Sequence, residues 1–233
     1  MTTGSQYSKE HHPVSAIRRY YIMGVVGVGK STLREQLRTA LQEGTGKNQS
    51  FNIYEEWPEA MATEVTHAME SMSRCSAEEI QEWIFSQLAD KNELISSDQA
   101  DLHIIDRSPL DTYAFYPPQE WEGRAQQLLN VLHEKDSTPL APGELIFLHG
   151  SPRIIYERMD RAREYSVNSI AQQQSSFELL IDYLARDFNY TVKRIDVRNQ
   201  SPEQVATKAQ DIMSASNYSP LNMQNVVEVL AGK

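Results

Sequence analysis

The chain has 233 residues, a formal net charge of −10 at pH 7, 40% hydrophobic residues and 23% charged residues. That balance supports a globular core and argues against wholesale wrapping of nucleic acid, although a local basic cluster can still bind phosphate groups. A single cysteine, Cys75, excludes a disulfide within the chain and fits a reducing cytoplasm, and the longest apolar run falls far short of the ~20 residues that span a bilayer.

Residues 1–17 are polar, without the apolar segment of a secretion signal, and read as a flexible tail before one domain over residues 18–233. The first strand is expected over Arg19–Met23. A helix follows it with Leu33, Leu37, Ala40 and Leu41 on one stripe, closed by Gly44. Phe51–Tyr54 reads as the second strand; Ile80, Trp83, Ile84 and Leu88 then mark a helix, and Leu102–Ile105 the third strand. Ala125, Leu128, Leu129 and Leu132 form the stripe of the helix before the strand Glu144–Leu148. Residues 153–163 read as an arginine-rich helix running into a polar segment, 164–176, the candidate for a mobile lid or loop. Phe177, Leu180, Ile181 and Leu184 make another helix, Thr191–Ile195 the last strand, and Val205, Ala209, Ile212 and Met213 the last clear helix. The C-terminal "NVVEVLAGK" reads as a short docking helix or a partner-binding segment. Short strands, several of them apolar throughout as strands covered on both faces are, alternate with amphipathic helices. The expected fold is α/β, with a five-stranded parallel sheet and helices on both faces.

The first strand runs into Gly24-Val25-Val26-Gly27-Val28-Gly29-Lys30-Ser31, with Thr32 following. This matches G-x-x-x-x-G-K-[ST], the Walker A phosphate-binding loop. Its glycines let successive backbone N–H groups turn inward toward phosphate oxygens, and the helix beginning near Gly29 adds its positive end. Lys30 is placed to reach the β- and γ-phosphates, and the Ser31 hydroxyl to bind Mg²⁺. Nucleoside triphosphate binding follows from this stretch.

The rest of the chain narrows the class. A guanine-reading Asn-Lys-x-Asp is absent; the nearest string, "DKNE" at 90–93, lies in a helical pattern. What remains is a small kinase that passes the γ-phosphoryl group to a small acceptor. "LHIIDRSPLDTYAF" sets Asp106 and Arg107 at the carboxyl end of a strand, the edge where parallel sheets bind ligands. There Asp106 can hold Mg²⁺ through water, and Arg107 can reach an acceptor oxygen or the transferring group. "NIYEEW" ends the second strand with Glu55 and Glu56, and a carboxylate so placed can take the proton of an acceptor hydroxyl. Arg153, Arg158, Arg161 and Arg163 concentrate positive charge in an acidic chain, suited to a phosphoryl-transfer transition state.

The order of these motifs over about residues 19–200 resembles the deoxynucleoside kinase and thymidylate kinase group of P-loop kinases. The resemblance implies a three-layer P-loop kinase fold with a helical lid over about 157–176, using ATP and Mg²⁺. "YERMDRARE" is similar to the lid, where Arg161 and Arg163 would contact the donor phosphates. By the same resemblance Glu55 would be the base beside a 5′-hydroxyl, with Arg107 next to it. In "IQEWIF", Gln81 would read the nucleobase and Trp83 line the pocket, and in "DVRNQ" Arg198 would contact the donor adenine. Asp-Arg-Ser is nearer the thymidylate kinase form, whereas the Glu-Pro-Val of deoxynucleoside kinases is replaced by Glu-Glu-Trp-Pro.

The expected reaction is transfer from ATP to the 5′-hydroxyl of a (deoxy)nucleoside. A nucleoside monophosphate acceptor, a hydroxylated base in DNA, and a non-catalytic ATP-binding regulatory module are the alternatives. The stripes at 80–88 and 125–132 offer faces for a homodimer as well as for the core.

Overall fold

The computed structural model describes residues 17–44, 50–56, 76–159 and 165–233. Five strands form one parallel sheet: β1 (Arg18–Met23), β2 (Phe51–Tyr54), β3 (Leu102–Asp106), β4 (Glu144–His149) and β5 (Lys193–Asp196), in the order β2-β3-β1-β4-β5. The order reverses direction at β1, between β3 and β4. That places the ligand-binding crevice at the carboxyl ends of β1 and its two neighbours.

Helices cover both faces. α1 (Lys30–Gly44) packs against α6 (Pro202–Ser214). α2 (Ala77–Ser97) packs against α3 (Trp121–Glu134), and α3 against α7 (Met223–Leu230). α4 (Pro152–Arg158) lies on α5 (Val167–Phe188). A 3₁₀ segment, Pro109–Phe115, continues from β3 and touches both α5 and α7. Burial on both faces explains the apolar runs: Tyr20, Tyr21, Ile22 and Met23 in β1, and Leu145, Ile146, Phe147 and Leu148 in β4, are all closed to solvent. No helix among the described residues is long and apolar enough to cross a membrane.

Three expectations need revision. The last strand begins at Lys193, not Thr191; as an edge strand it pairs only with β4, over four residues. The arginine-rich helix stops early, with Met159 as its C-cap in extended conformation, and residues 160–164 lie outside the described set. The polar segment is no loop from Val167 onward. Ser166 caps α5 with a capping box, accepting from the Ser169 N–H. Ile170 then anchors this first turn in the core. The stripe anchored by Phe177 and Leu180 therefore extends one helix backward through Gln172, Gln173 and Gln174.

Candidate active site

The phosphate-loop sequence joins β1 to α1. Gly24 has φ 145°, and a Cβ there would lie 2.7 Å from the Leu148 carbonyl oxygen at the end of β4. At Gly27, φ is 76° and a Cβ would run into the Met159 side chain. Glycine is therefore required at both positions. Lys30 opens α1, nearly closed to solvent, and its ammonium donates to the carbonyls of Gly24 (3.0 Å) and Val25 (3.2 Å). Burial and then the neighbouring Arg107 charge lower its pKa to about 8. Ser31 and Thr32 are exposed on the first turn of α1.

Asp106 ends β3 opposite Ile22 and is buried, which raises its carboxyl pKa against the pull of Lys30. Its Oδ2 accepts from Arg34 Nη1 at 3.3 Å, and Oδ1 has no hydrogen-bond partner among the described residues. Arg34, one turn beyond Lys30 on α1, also reaches Glu55 at 3.1 Å. Arg107 turns sharply, with φ 66°, while its N–H donates to the Ile22 carbonyl and prolongs the ladder by one residue. Its guanidinium Nε donates to Glu56 Oε1 at 2.5 Å, and Nη1 lies 3.7 Å from Asp111 Oδ2.

Alternation along the chain decides which acid goes where. Tyr54 reaches Asp98, the C-cap of α2, so the side chains of residues 52, 54 and 56 share the α2 face. Glu55 turns to the α1 face and meets Arg34, whereas Glu56 turns toward α2 and Arg107.

Two cavities flank the loop. One, about 260 Å³, lies between α2 and the 3₁₀ segment and is lined by Glu56, Gln81, Lys91, Arg107 and Asp111, with Ile84, Leu88 and Phe115 as apolar walls. Gln81 is buried, its Oε1 accepts from the Tyr116 hydroxyl, and its Nε2 has no partner among the described residues. Lys91 is buried too; its ammonium donates to the carbonyls of Asp106 (2.5 Å) and Glu56 (3.4 Å), and burial lowers its pKa to about 8. The second cavity, about 280 Å³, runs from Gly27, Val28 and Gly29 past Arg158 to Val197, Gln200 and Val205.

Among solved structures, the chain matches a thymidylate kinase from Candida albicans at 16% identity and TM-score 0.56, covering 88% of this chain and 98% of that one. It matches a thymidylate kinase from Ehrlichia chaffeensis at 13% and 0.57 (85% and 100%). It also matches a herpesvirus thymidine kinase, EHV4-TK complexed with TP4A, at 12% and 0.54 (93% and 98%). The fold is that of the P-loop kinases. No family model and no curated protein matches the sequence.

Within this P-loop kinase fold the predicted residues separate. Gly27, Val28, Gly29 and Thr32 line the second cavity with Arg158, whose Nη2 donates to the Val197 carbonyl at 3.3 Å. Gln81 and Arg107 line the first cavity, and Trp83 is not among its lining residues. Glu55 does not line it either, and Glu56 does. Arg198 is exposed and paired to Asp196 at 2.5 Å, while Val197 and Gln200 on either side of it line the second cavity. Arg161 and Arg163 lie outside the described residues. Arg34, Lys91, Asp111, Tyr116 and Gln200 were not singled out from sequence. The one available signal was spacing for Arg34, which follows Lys30 by four residues and so shares its helix face.

No group of three or more His, Cys, Asp or Glu among the described residues is arranged to hold a metal ion. Mg²⁺ bound with a nucleotide needs fewer protein ligands, because phosphates and waters fill most of its octahedron. The buried, unpartnered Oδ1 of Asp106 and the exposed hydroxyl of Ser31 fit that requirement.

Proposed function

We propose that the protein transfers the γ-phosphoryl group of ATP to the 5′-hydroxyl of a (deoxy)nucleoside. The observation that carries this reading is the Glu56–Arg107 pair, held at the carboxyl edge of the sheet in the wall of a largely apolar cavity beside the phosphate loop. In this reading the first cavity takes the acceptor and the second the donor nucleotide. Glu56, rather than Glu55, accepts the hydroxyl proton as the acceptor oxygen bonds to the γ-phosphorus and the bond to the β,γ-bridging oxygen breaks, releasing ADP. Arg107 orients that hydroxyl and, with Arg158, offsets charge on the transferring group. Arg161 and Arg163 join them by the lid resemblance. Lys30 exchanges its two loop carbonyls for phosphate oxygens, and Gln81 offers its free N–H to the acceptor base. Ser31 and Asp106 would hold Mg²⁺, which when bound neutralises phosphate charge. Glu55 serves instead as the counter-charge of Arg34. The thymidylate and thymidine kinases with this fold support a nucleoside or nucleotide acceptor.

A second reading has its own support. Lys91 and Arg107 put two cations in the acceptor cavity, which suits an acceptor that already bears a phosphate.

ADP release with Mg·ATP and a panel of nucleosides and nucleoside monophosphates tests both readings. A single nucleoside should stimulate release. Glu56→Gln should lower that rate by about 10²–10⁴-fold, whereas Glu55→Gln should leave it within about ten-fold of wild type. Stimulation by a monophosphate alone would reassign the acceptor. Loss confined to Glu55→Gln would reverse the assignment of the base, and no acceptor-dependent release would sink the kinase reading.

A further inference from the structure

We propose that Asp111 is a positioning residue for the transfer, the anchor that holds Arg107 in place once Glu56 has taken the acceptor's proton; the inference rests on reading Glu56 as that base. Arg107 lies between two carboxylates of unlike character. Glu56 is the more open one, with its side chain 36% exposed, and it accepts from Arg107 Nε at 2.5 Å. Asp111 is 2% exposed, and its Oδ2 lies 3.7 Å from Arg107 Nη1. That is close enough for an ion pair and too long for a hydrogen bond. Both atoms are buried, and neither has a hydrogen-bond partner among the described residues. Arg107 is thus bonded on one side and faces a ready, unused acceptor on the other.

The 3₁₀ segment keeps Asp111 from moving away. Its Oδ1 accepts from the Ser108 N–H at 3.0 Å and from the Ser108 hydroxyl at 2.7 Å, so one carboxylate oxygen is spent on the turn and the other is left facing Arg107. Burial raises the Asp111 carboxyl pKa, and the Arg107 charge is foremost among the groups that pull it back down. Phe115, from the same segment, places its ring 5.6 Å from the Arg107 guanidinium carbon. The reaction alters only the Glu56 side. In the proposed transfer the hydroxyl proton ends on the Glu56 carboxylate as the new O–P bond forms and the β,γ-bridging oxygen leaves with ADP. Glu56 is then neutral, and its bond to Arg107 loses the charge assistance that makes such bonds roughly twice as strong as neutral ones. Arg107 is needed most at that moment, because charge is passing to the transferring group. A shift of less than about 1 Å brings Nη1 into hydrogen-bond range of Oδ2 and leaves the guanidinium with a full anionic partner.

Steady-state ADP release by the whole protein with Mg·ATP and the common deoxynucleosides and their monophosphates, beside calorimetric Mg·ATP titration, tests this. Asp111→Asn keeps the oxygen that serves Ser108 and turns an NH₂ on Arg107. It should lower kcat with the stimulating acceptor by about ten-fold or more, with acceptor KM within about three-fold and Mg·ATP affinity within about two-fold of wild type. Asp111→Ser, whose hydroxyl is still an acceptor, repeats the measurement should the amide lower the thermal midpoint. With Arg107→Ala as the background, Asp111→Asn should change kcat by less than about two-fold, because a residue acting through Arg107 has nothing left to act on. Unchanged kcat in both Asp111 variants overturns the inference, as does a loss that falls on KM or on Mg·ATP affinity, or one of equal size with and without Arg107. Glu56→Gln separates the two levels. Release that needs Glu56 but ignores Asp111 defeats the role of Asp111 alone, whereas release indifferent to Glu56, or absent with every acceptor, defeats the reading of Glu56 as the base and the inference with it.

Discussion

Lys30 is a cation held where a cation is costly. It is 7% exposed, its ammonium rests on two loop carbonyls, and burial followed by the Arg107 charge brings its pKa to about 8. A lysine with a folded pKa below its unfolded value of 10.5 weakens the fold most at pH values under about 8, and this cost fades as pH rises toward 10.5. Anionic phosphates reverse the balance, because an ammonium against a triphosphate favours its proton. Nucleotide binding should therefore take up a proton at about pH 8.5, approaching one per molecule, and almost none at about pH 6.5, where Lys30 is already charged. Titrations in buffers of different ionisation enthalpy measure this uptake, and Lys30→Met should abolish it. Equal uptake at both pH values would show that Lys30 is not the group responding. Lys91 also titrates near this range, but its ammonium is bonded to the Asp106 and Glu56 carbonyls, and it lines the other cavity.

At the scale of elements, Lys91 links two strand ends. The positive φ of Arg107 carries the chain out of the β3 line, and the Asp106 carbonyl there accepts from Lys91. The same ammonium holds the Glu56 carbonyl beyond β2. One buried side chain from α2 thus sets the separation between the strand ends that bear Glu56 and Arg107. Lys91→Met should leave Mg·ATP affinity within about two-fold and lower kcat with the acceptor by about ten-fold or more, since small misplacements at a reacting centre are expensive. Steady-state kinetics beside donor titration check this. A matching loss of donor affinity would mean that Lys91 supports the sheet as a whole. This role explains what was and was not legible beforehand. The strands expected from sequence lie within one residue of β1 to β4: β1 and β4 are apolar because both their faces are covered, whereas β2 is a half-buried edge strand that carries Asn52. Lys30, Asp106 and Arg107 were readable because motif and strand end coincide. Lys91 was not. In "DKNE" it looks like any polar residue of an amphipathic helix, and its importance comes from carbonyls 15 and 35 residues away. The choice between Glu55 and Glu56 likewise needed the face of β2, which turns over with a shift of one residue.

For the whole molecule, the C-terminal segment is part of the same core rather than an appendage. Leu221 pairs with Gly143 just before β4, the Tyr218 hydroxyl accepts from the Arg19 N–H, and Met223, Val226 and Val227 of α7 are closed to solvent. Most of "NVVEVLAGK" thus belongs to a helix docked on its own chain, packing on α3 and on the 3₁₀ segment that supplies Asp111 and Phe115 to the first cavity. The second cavity is built from the phosphate loop, α1, the end of α4, the link into α6 and the first turn of α6, with no residue from α7. The two cavities therefore differ in how firmly the C-terminus supports them. Met223→Ala leaves a hole in the core where α7 docks and should cost about 2–5 kcal/mol in urea unfolding. It should also raise the acceptor KM several-fold, on the order of the penalty for a loosened wall, while donor affinity per folded molecule stays unchanged. Equal weakening of donor and acceptor would show that the sheet transmits the defect to both cavities. No change in either, with stability lost, would show that the 3₁₀ wall stands without α7 behind it.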